Sequence, residues 1–157
     1  MSVRILVAML LALTLSCSGP APEAAKTSAV KAASHEPPKD LSTKFPLAGQ
    51  VKMQLVPDHL LNRDFMPGGN LADYKTADGA YQMFLVEAPD ARAAAFMLLD
   101  WKNAVPEAKY LAHMGGYTWT DQGKTIYIFA KGPYLAGIVG LPEEKADAEA
   151  RRFAARL

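Results

Sequence analysis

Polar and apolar residues alternate along much of the chain after residue 45. Residues 50–56 alternate, with Val51, Met53 and Leu55 on one side and Lys52 and Gln54 on the other, which is typical of a half-buried β-strand. The Asp78-Gly79 pair between two apolar-rich runs indicates a β-hairpin, and the Pro-Gly-Gly-Asn sequence at residues 67–70 predicts a turn. Strands are predicted at residues 50–56, 71–76, 80–87, 117–121, 124–131 and 134–141, with 109–113 as a short further candidate.

Two segments have apolar residues at helical spacing. The first begins after Pro89 and ends before Pro106, and the second begins after Pro142. Their apolar stripes are Ala91, Ala94, Ala95, Leu98, Trp101 and Val105 in the first segment, and Ala146, Ala150, Phe153, Ala154 and Leu157 in the second. Because strands come in hairpin runs, the pattern predicts an α+β fold. We expect an antiparallel β-sheet of about five to six strands with two helices packed on one face.

The first sixteen residues have a different character. Arg4 precedes an unbroken apolar run that ends at Leu13, and the run is followed by the single cysteine of the chain, Cys17. A membrane-spanning helix needs about 20 apolar residues, whereas a short apolar run behind a basic residue is typical of a secretory signal. Residues 1–16 are therefore predicted to be a signal peptide.

The sequence Leu13-Thr14-Leu15-Ser16-Cys17 resembles the lipobox of bacterial lipoproteins, with Thr14 in place of the usual leucine. This resemblance implies cleavage before Cys17, attachment of acyl chains such as palmitate to Cys17, and anchoring in a membrane of the cell envelope. Several acyl chains make such anchoring stable. Because Ser18 follows the cysteine, the resemblance also implies an outer-membrane lipoprotein that faces the periplasm in a Gram-negative cell.

The remainder divides by composition. Residues 17–44 comprise the cysteine to be lipidated and an Ala/Pro/Ser/Lys-rich segment without aromatic residues, which predicts a disordered tether. Residues 45–157 contain every Phe, Tyr and Trp and are predicted to form a single domain. The full chain has 17 basic and 16 acidic residues, a balance that argues against a nucleic-acid partner.

Several catalytic classes are excluded within residues 45–157. This part contains no serine and no cysteine, so Ser-His-Asp and Cys-His nucleophilic catalysis have no nucleophile. A metal site of the two-histidine, one-carboxylate kind stays open, formed by His59 and His113 with Asp58, Asp64 or Asp73. A copper site with Met66 and Met114, and a carboxylate pair for glycoside hydrolysis, also stay open. No cofactor is predicted.

Aromatic residues on three predicted strands suggest a binding surface. If the isoleucine-rich side of the sheet packs on the helices, the other side presents an outward aromatic face, and exposed aromatic patches usually mark binding sites. The alternative is that these rings belong to the core. The candidate ligand-binding residues are Tyr117, Trp119, Tyr127, Phe129 and Tyr134.

A second resemblance is diffuse. Residues 69–74, the Asp78-Gly79 hairpin, the Ala-rich helix after Pro89 and residues 131–134 together resemble an uncharacterised family of bacterial envelope proteins. This resemblance implies an α+β fold and no known activity.

Taken together, the sequence predicts a lipid-anchored, non-enzymatic envelope protein that binds or assembles with an envelope protein or cell-wall component. The alternative is an envelope hydrolase or metal-binding protein that uses carboxylates with His59 and His113.

Overall fold

The computed structural model describes residues 37–157. The predicted signal peptide, Cys17 and the tether as far as residue 36 lie outside the described residues. The described part contains short 3₁₀ helices at Ser42–Lys44 and Leu60–Asn62. Its main elements are β1 (Gln50–Asp58), β2 (Pro67–Thr76), β3 (Gly79–Glu87), α1 (Ala91–Ala104), β4 (Lys109–Leu111), β5 (Gly116–Asp121), β6 (Lys124–Lys131), β7 (Tyr134–Val139) and α2 (Glu143–Ala154).

The strands form one antiparallel sheet of seven strands in the order β1-β2-β3-β7-β6-β5-β4. The predicted α+β class is confirmed. The sheet has seven strands rather than five to six, because the short β4 pairs with β5 and extends one edge. Among residues 37–157, neither helix has the length and apolar character needed to cross a bilayer.

The two helices pack on opposite faces of the sheet, so the expectation that both lie on one face is wrong. Leu98 and Trp101 of α1 cluster with Ile126 and Ile128, whereas Phe153 of α2 clusters with residues 127 and 129 of the same strand. Successive residues of a strand point to opposite faces. Because the central strands are apolar on both faces, each face needs its own helical cover. We call these the α1 face and the α2 face.

Both helices begin and end where local chemistry dictates. The Asp90 side chain accepts a hydrogen bond of 2.7 Å from the Ala93 amide and so caps α1. Val105 follows the last residue of α1 and precedes Pro106, which cannot continue a helix. In α2, Glu143 and Glu144 lie in the first turn and arginines lie in the last, as the helix dipole favours.

The packed structure begins before residue 45. Leu41, assigned to the tether by composition, is only 5% exposed and belongs to the core on the α2 face. The side chain of buried Asn70 accepts from the Leu41 amide at 2.9 Å and donates to the Lys39 carbonyl at 2.8 Å. Arg156 donates to the carbonyls of Thr43, Lys44 and Phe45. The segment 39–45 is therefore held at both of its ends.

The turn predicted at residues 67–70 is instead the beginning of β2. An added Cβ at Gly68 would lie 2.2 Å from the Pro57 carbonyl oxygen, so only glycine lets β1 and β2 approach here. Glycine at this position permits a close backbone approach within the sheet and does not reverse the chain.

Candidate functional site

A cavity of about 390 Å³ lies on the α1 face, between the segment 59–63 and the β5–β6 turn. We call it the central cavity. Leu71, Ile126 and Val139 contribute apolar side chains to it, and Trp101 reaches it from α1. Its other lining residues are mostly polar or charged and include Gln54, His59, Asn62, Arg63, Gln82, Asp121, Gln122 and Lys124. A concave, partly apolar site with a few convergent polar groups is the usual form of a ligand pocket.

The strand register explains how this site is assembled. Gln82 on β3 pairs with Val139 on β7, and Val139 pairs with Ile126 on β6. Directly paired residues point to the same face of a sheet. Three neighbouring strands thus present one side chain each to the cavity, although these residues are far apart in the chain.

The backbone around the cavity is conformationally unusual. In the part of the chain that the structure describes, four non-glycine residues have positive φ: His59 (52°), Leu61 (59°), Asn62 (56°) and Gln122 (48°). All four line the central cavity. Left-handed conformations of such residues are sparsely populated and cluster at binding and active sites, where the surrounding structure enforces them.

An ion pair closes one side of the cavity. Arg63 from the segment after β1 pairs with Asp121 at the end of β5, and both side chains are about two-thirds buried. The Arg63 guanidinium also lies over the Trp101 ring, 5.5 Å from its centroid. His59 contacts Asp58 through Nδ1 at 3.2 Å. Arginine beside both a carboxylate and an aromatic ring is held in a defined orientation.

A second cavity of about 360 Å³ adjoins the first at the β2–β3 hairpin, and we call it the hairpin cavity. Gln82, Lys124 and Val139 line both cavities. The hairpin cavity also contains Asp73, whose Oδ1 accepts a hydrogen bond of 2.7 Å from Gln82 Nε2. The two cavities therefore meet along one row of the sheet.

A separate polar cluster joins the α2 face to α2. Asp147 Oδ1 lies 2.5 Å from both the Tyr127 hydroxyl, which donates to it, and His113 Nε2. Asp147 Oδ2 accepts from Arg151 at 2.8 Å. Burial alone would raise the pKa of Asp147, but the hydrogen bonds from Tyr127, His113 and Arg151 outweigh it and lower the pKa to about 2. Burial, followed by the hydrogen bond to Asp147, raises the pKa of Tyr127 above its ordinary value.

A small cavity of about 210 Å³ borders this cluster. Its lining includes His113 and Asp147 together with Glu143, and Glu143 is paired with Lys109 at 2.7 Å. The carboxylate of Asp147 is already engaged by three donors, so the cluster is best described as a link between the β4–β5 turn and α2.

The structure does not form the outward aromatic face expected from the sequence. Trp119 is 7% exposed, and Tyr127 and Phe129 are fully buried. The expectation fails because Trp119 pairs with Ile126, which places it on the α1 face, while residues 127 and 129 point to the α2 face. The core interpretation of these three rings is correct.

The remaining two aromatic candidates are half-buried and lie apart. Tyr117 packs against the α1-face cluster, 5.5 Å from Tyr110 between ring centroids. Tyr134 packs against the α2-face cluster, and Lys44 Nζ lies 4.7 Å from its ring centroid. Its hydroxyl is 3.4 Å from Glu87 Oε1. The five predicted residues therefore do not form one surface.

The histidines considered for a metal site are also separated. His59 lines the central cavity on the α1 face, whereas His113 lines the small cavity beside α2. Within residues 37–157, no group of three or more His, Cys, Asp or Glu side chains is placed to hold a metal ion. The two histidines thus do not converge on one site.

Sequence reasoning missed the central cavity. Arg63 and Asp121 are 58 positions apart, and no motif connects them. The left-handed conformations of His59, Leu61 and Asn62 have no sequence signature beyond Asn62 itself, a residue type that tolerates this region. No protein-family model matches the chain, and neither the curated proteins nor the solved structures searched contain a match. The candidate site therefore rests on geometry alone.

Proposed function

We propose that this chain is a lipid-anchored envelope protein whose domain binds a ligand in the central cavity and does not catalyse a reaction. The observation that carries the binding role is the coincidence of the cavity with every non-glycine left-handed residue in the described part of the chain. Each such residue costs on the order of 1–3 kcal/mol. Gln122 has its positive φ because it lies in the two-residue β5–β6 turn. The other three residues, His59, Leu61 and Asn62, lie in one segment beside the cavity, which is consistent with a site kept in a defined shape.

The anchoring role is supported by the sequence. Residues 1–16 have the pattern of a signal peptide, and Cys17 is the only thiol in the chain. The composition after Cys17 suits a flexible tether between a membrane and a folded domain. The proposed location is the outer membrane, facing the periplasm, if the source cell is Gram-negative.

The anchor is tested by changing the acyl acceptor. Cys17→Ala should abolish incorporation of an alkyne-labelled palmitate and block lipoprotein-type processing. Ser16→Ala is the matched control, because it keeps a small residue before the cysteine and should leave labelling intact. Equal acyl labelling of the wild type and Cys17→Ala would overturn the anchoring proposal.

The binding role is tested by blocking the cavity. Gln54 lines the central cavity from β1, and a phenylalanine there would occupy part of the cavity volume. The chain from Ser18 to Leu157 is titrated with 4-phenylbutanol, and backbone amide chemical shifts are followed by NMR. We expect saturable shifts at cavity residues in the wild type and their loss in Gln54→Phe.

Leu55→Phe is the matched control, since Leu55 is the neighbouring residue on the opposite face of β1 and is 46% exposed. It should bind as the wild type does. If no saturable shifts appear at the cavity with 4-phenylbutanol, its carboxylate analogue or its amine analogue, the binding proposal is refuted.

A further inference from the structure

The charges that line the central cavity do not cancel. Arg63 is neutralised by Asp121. Lys124 also lines the cavity and has no ion-pair partner among the residues that the structure describes. Of the cationic side chains that the structure describes in this lining, Lys124 is therefore the one that remains available to a ligand.

The hairpin cavity has the same imbalance. Lys75 and Lys124 both line it, and neither has an ion-pair partner within residues 37–157. Asp73, the carboxylate among the described residues that line it, already accepts a hydrogen bond from Gln82. Lys124 is an exposed residue at the start of β6 and borders both cavities.

One part of the lining of the central cavity is apolar. Leu71, Ile126 and Val139 line the central cavity and belong to the buried cluster of the α1 face. An apolar wall near an unpaired cation favours a molecule with the complementary arrangement. Such a molecule has an apolar body that covers the wall and an anionic end that reaches the ammonium.

We propose that the central cavity binds a small amphiphilic carboxylate, with its apolar body against Leu71, Ile126 and Val139 and its carboxylate paired with Lys124. This inference rests on the proposed binding function and specifies the ligand class for the same cavity. A cationic ligand of the same size would instead meet Lys124 and Lys75 as like charges, and a neutral ligand would gain only the apolar contact.

The test compares three probes that share one apolar body: 4-phenylbutyrate, 4-phenylbutanol and 4-phenylbutylamine. Each is titrated into the chain from Ser18 to Leu157, with the fluorescence of Trp101 and Trp119 and the backbone amide shifts as readouts. Trp101 lines the cavity and therefore reports occupancy. We expect the carboxylate to bind about fivefold more tightly than the alcohol, the increment of a partly exposed ion pair, and the amine to bind most weakly.

Lys124→Gln should remove the preference for the carboxylate while retaining binding of the alcohol. Lys109→Gln is the matched control, because it makes the same change in charge on β4 and Lys109 lines neither cavity. Equal affinities for carboxylate and alcohol in the wild type would overturn the ligand class but leave the binding role intact. A preference for the carboxylate that persists in Lys124→Gln would likewise overturn the ligand class and leave the binding role intact. Absence of binding by all three probes would overturn the binding role itself.

Discussion

Asp147 offers a quantitative test of how the α2 face is held together. Its carboxylate accepts hydrogen bonds from Tyr127, His113 and Arg151, and its pKa falls from 3.8 to about 2. A lowered carboxyl pKa stabilises the folded state at pH values above the unfolded pKa. That stabilisation is lost as the pH falls through the folded pKa. Asp147→Asn should therefore destabilise the domain at neutral pH and much less in strong acid.

The magnitude follows from the size of the shift. The change from 3.8 to about 2 corresponds to about 2.4 kcal/mol at 1.36 kcal/mol for each pKa unit. The Asp147 side chain keeps 22% of its surface exposed, so solvent screening reduces this contribution. We expect the pH-dependent part of the difference in unfolding free energy to be about 1–2 kcal/mol at pH 7. It should fall to about half near pH 3.

The assay is urea unfolding of the wild type and Asp147→Asn at pH 7, 4, 3 and 2.5. Asp100→Asn is the control, because Asp100 is an exposed residue of α1 outside this network. Its difference from the wild type should change by less than about 0.5 kcal/mol over the same range. A difference between wild type and Asp147→Asn that is equal at pH 7 and pH 3 would refute the reasoning.

Three further substitutions test the contacts of segment 39–41, the β5–β6 turn beside the central cavity, and the approach of β1 to β2. Asn70→Ala removes both hydrogen bonds to segment 39–41. It should lower the free energy of unfolding in urea by about 2–3 kcal/mol and speed proteolysis of that segment. Unchanged stability and unchanged proteolysis would contradict this. Gln122→Asn should raise the unfolding free energy by about 0.5 kcal/mol, because Asn favours the left-handed conformation at the first position of this two-residue turn; a loss of stability would contradict it. Gly68→Ala should lower the free energy of unfolding by about 2 kcal/mol, because the added methyl group would clash with the Pro57 carbonyl. A thermal midpoint equal to that of the wild type would disprove the close approach of β1 and β2 at this position.

Much of the fold could be predicted from local sequence. The helical stripe around Leu98 and Trp101 and the stop at Pro106 predict α1 to within one or two residues. The Asp78-Gly79 pair correctly predicts the turn between β2 and β3. These features depend on neighbours within a few positions, whose chemistry is written directly in the chain.

The allocation of side chains to faces was not predictable in the same way. A shift of one residue in register moves a whole strand's side chains to the other face. The pairing of Trp119 with Ile126 thus decides that Trp119 is core, and the local alternation of β5 is compatible with either result. Similarly, Val51 fits a half-buried pattern but is 69% exposed, because it lies at an irregularity in the pairing of the edge strand β1, between Gln50 and Lys52.

The sequence by itself determined the class of fold and most of the strands and helices, because each depends on composition or short-range pattern. Only the tertiary structure decided which helix covers which face and where a cavity remains. It brings Arg63 to Asp121, and Gln82 to Val139 and Ile126, through strand pairing over long sequence separations. Such contacts depend on the packing of the whole chain, and no local pattern of residues specifies them.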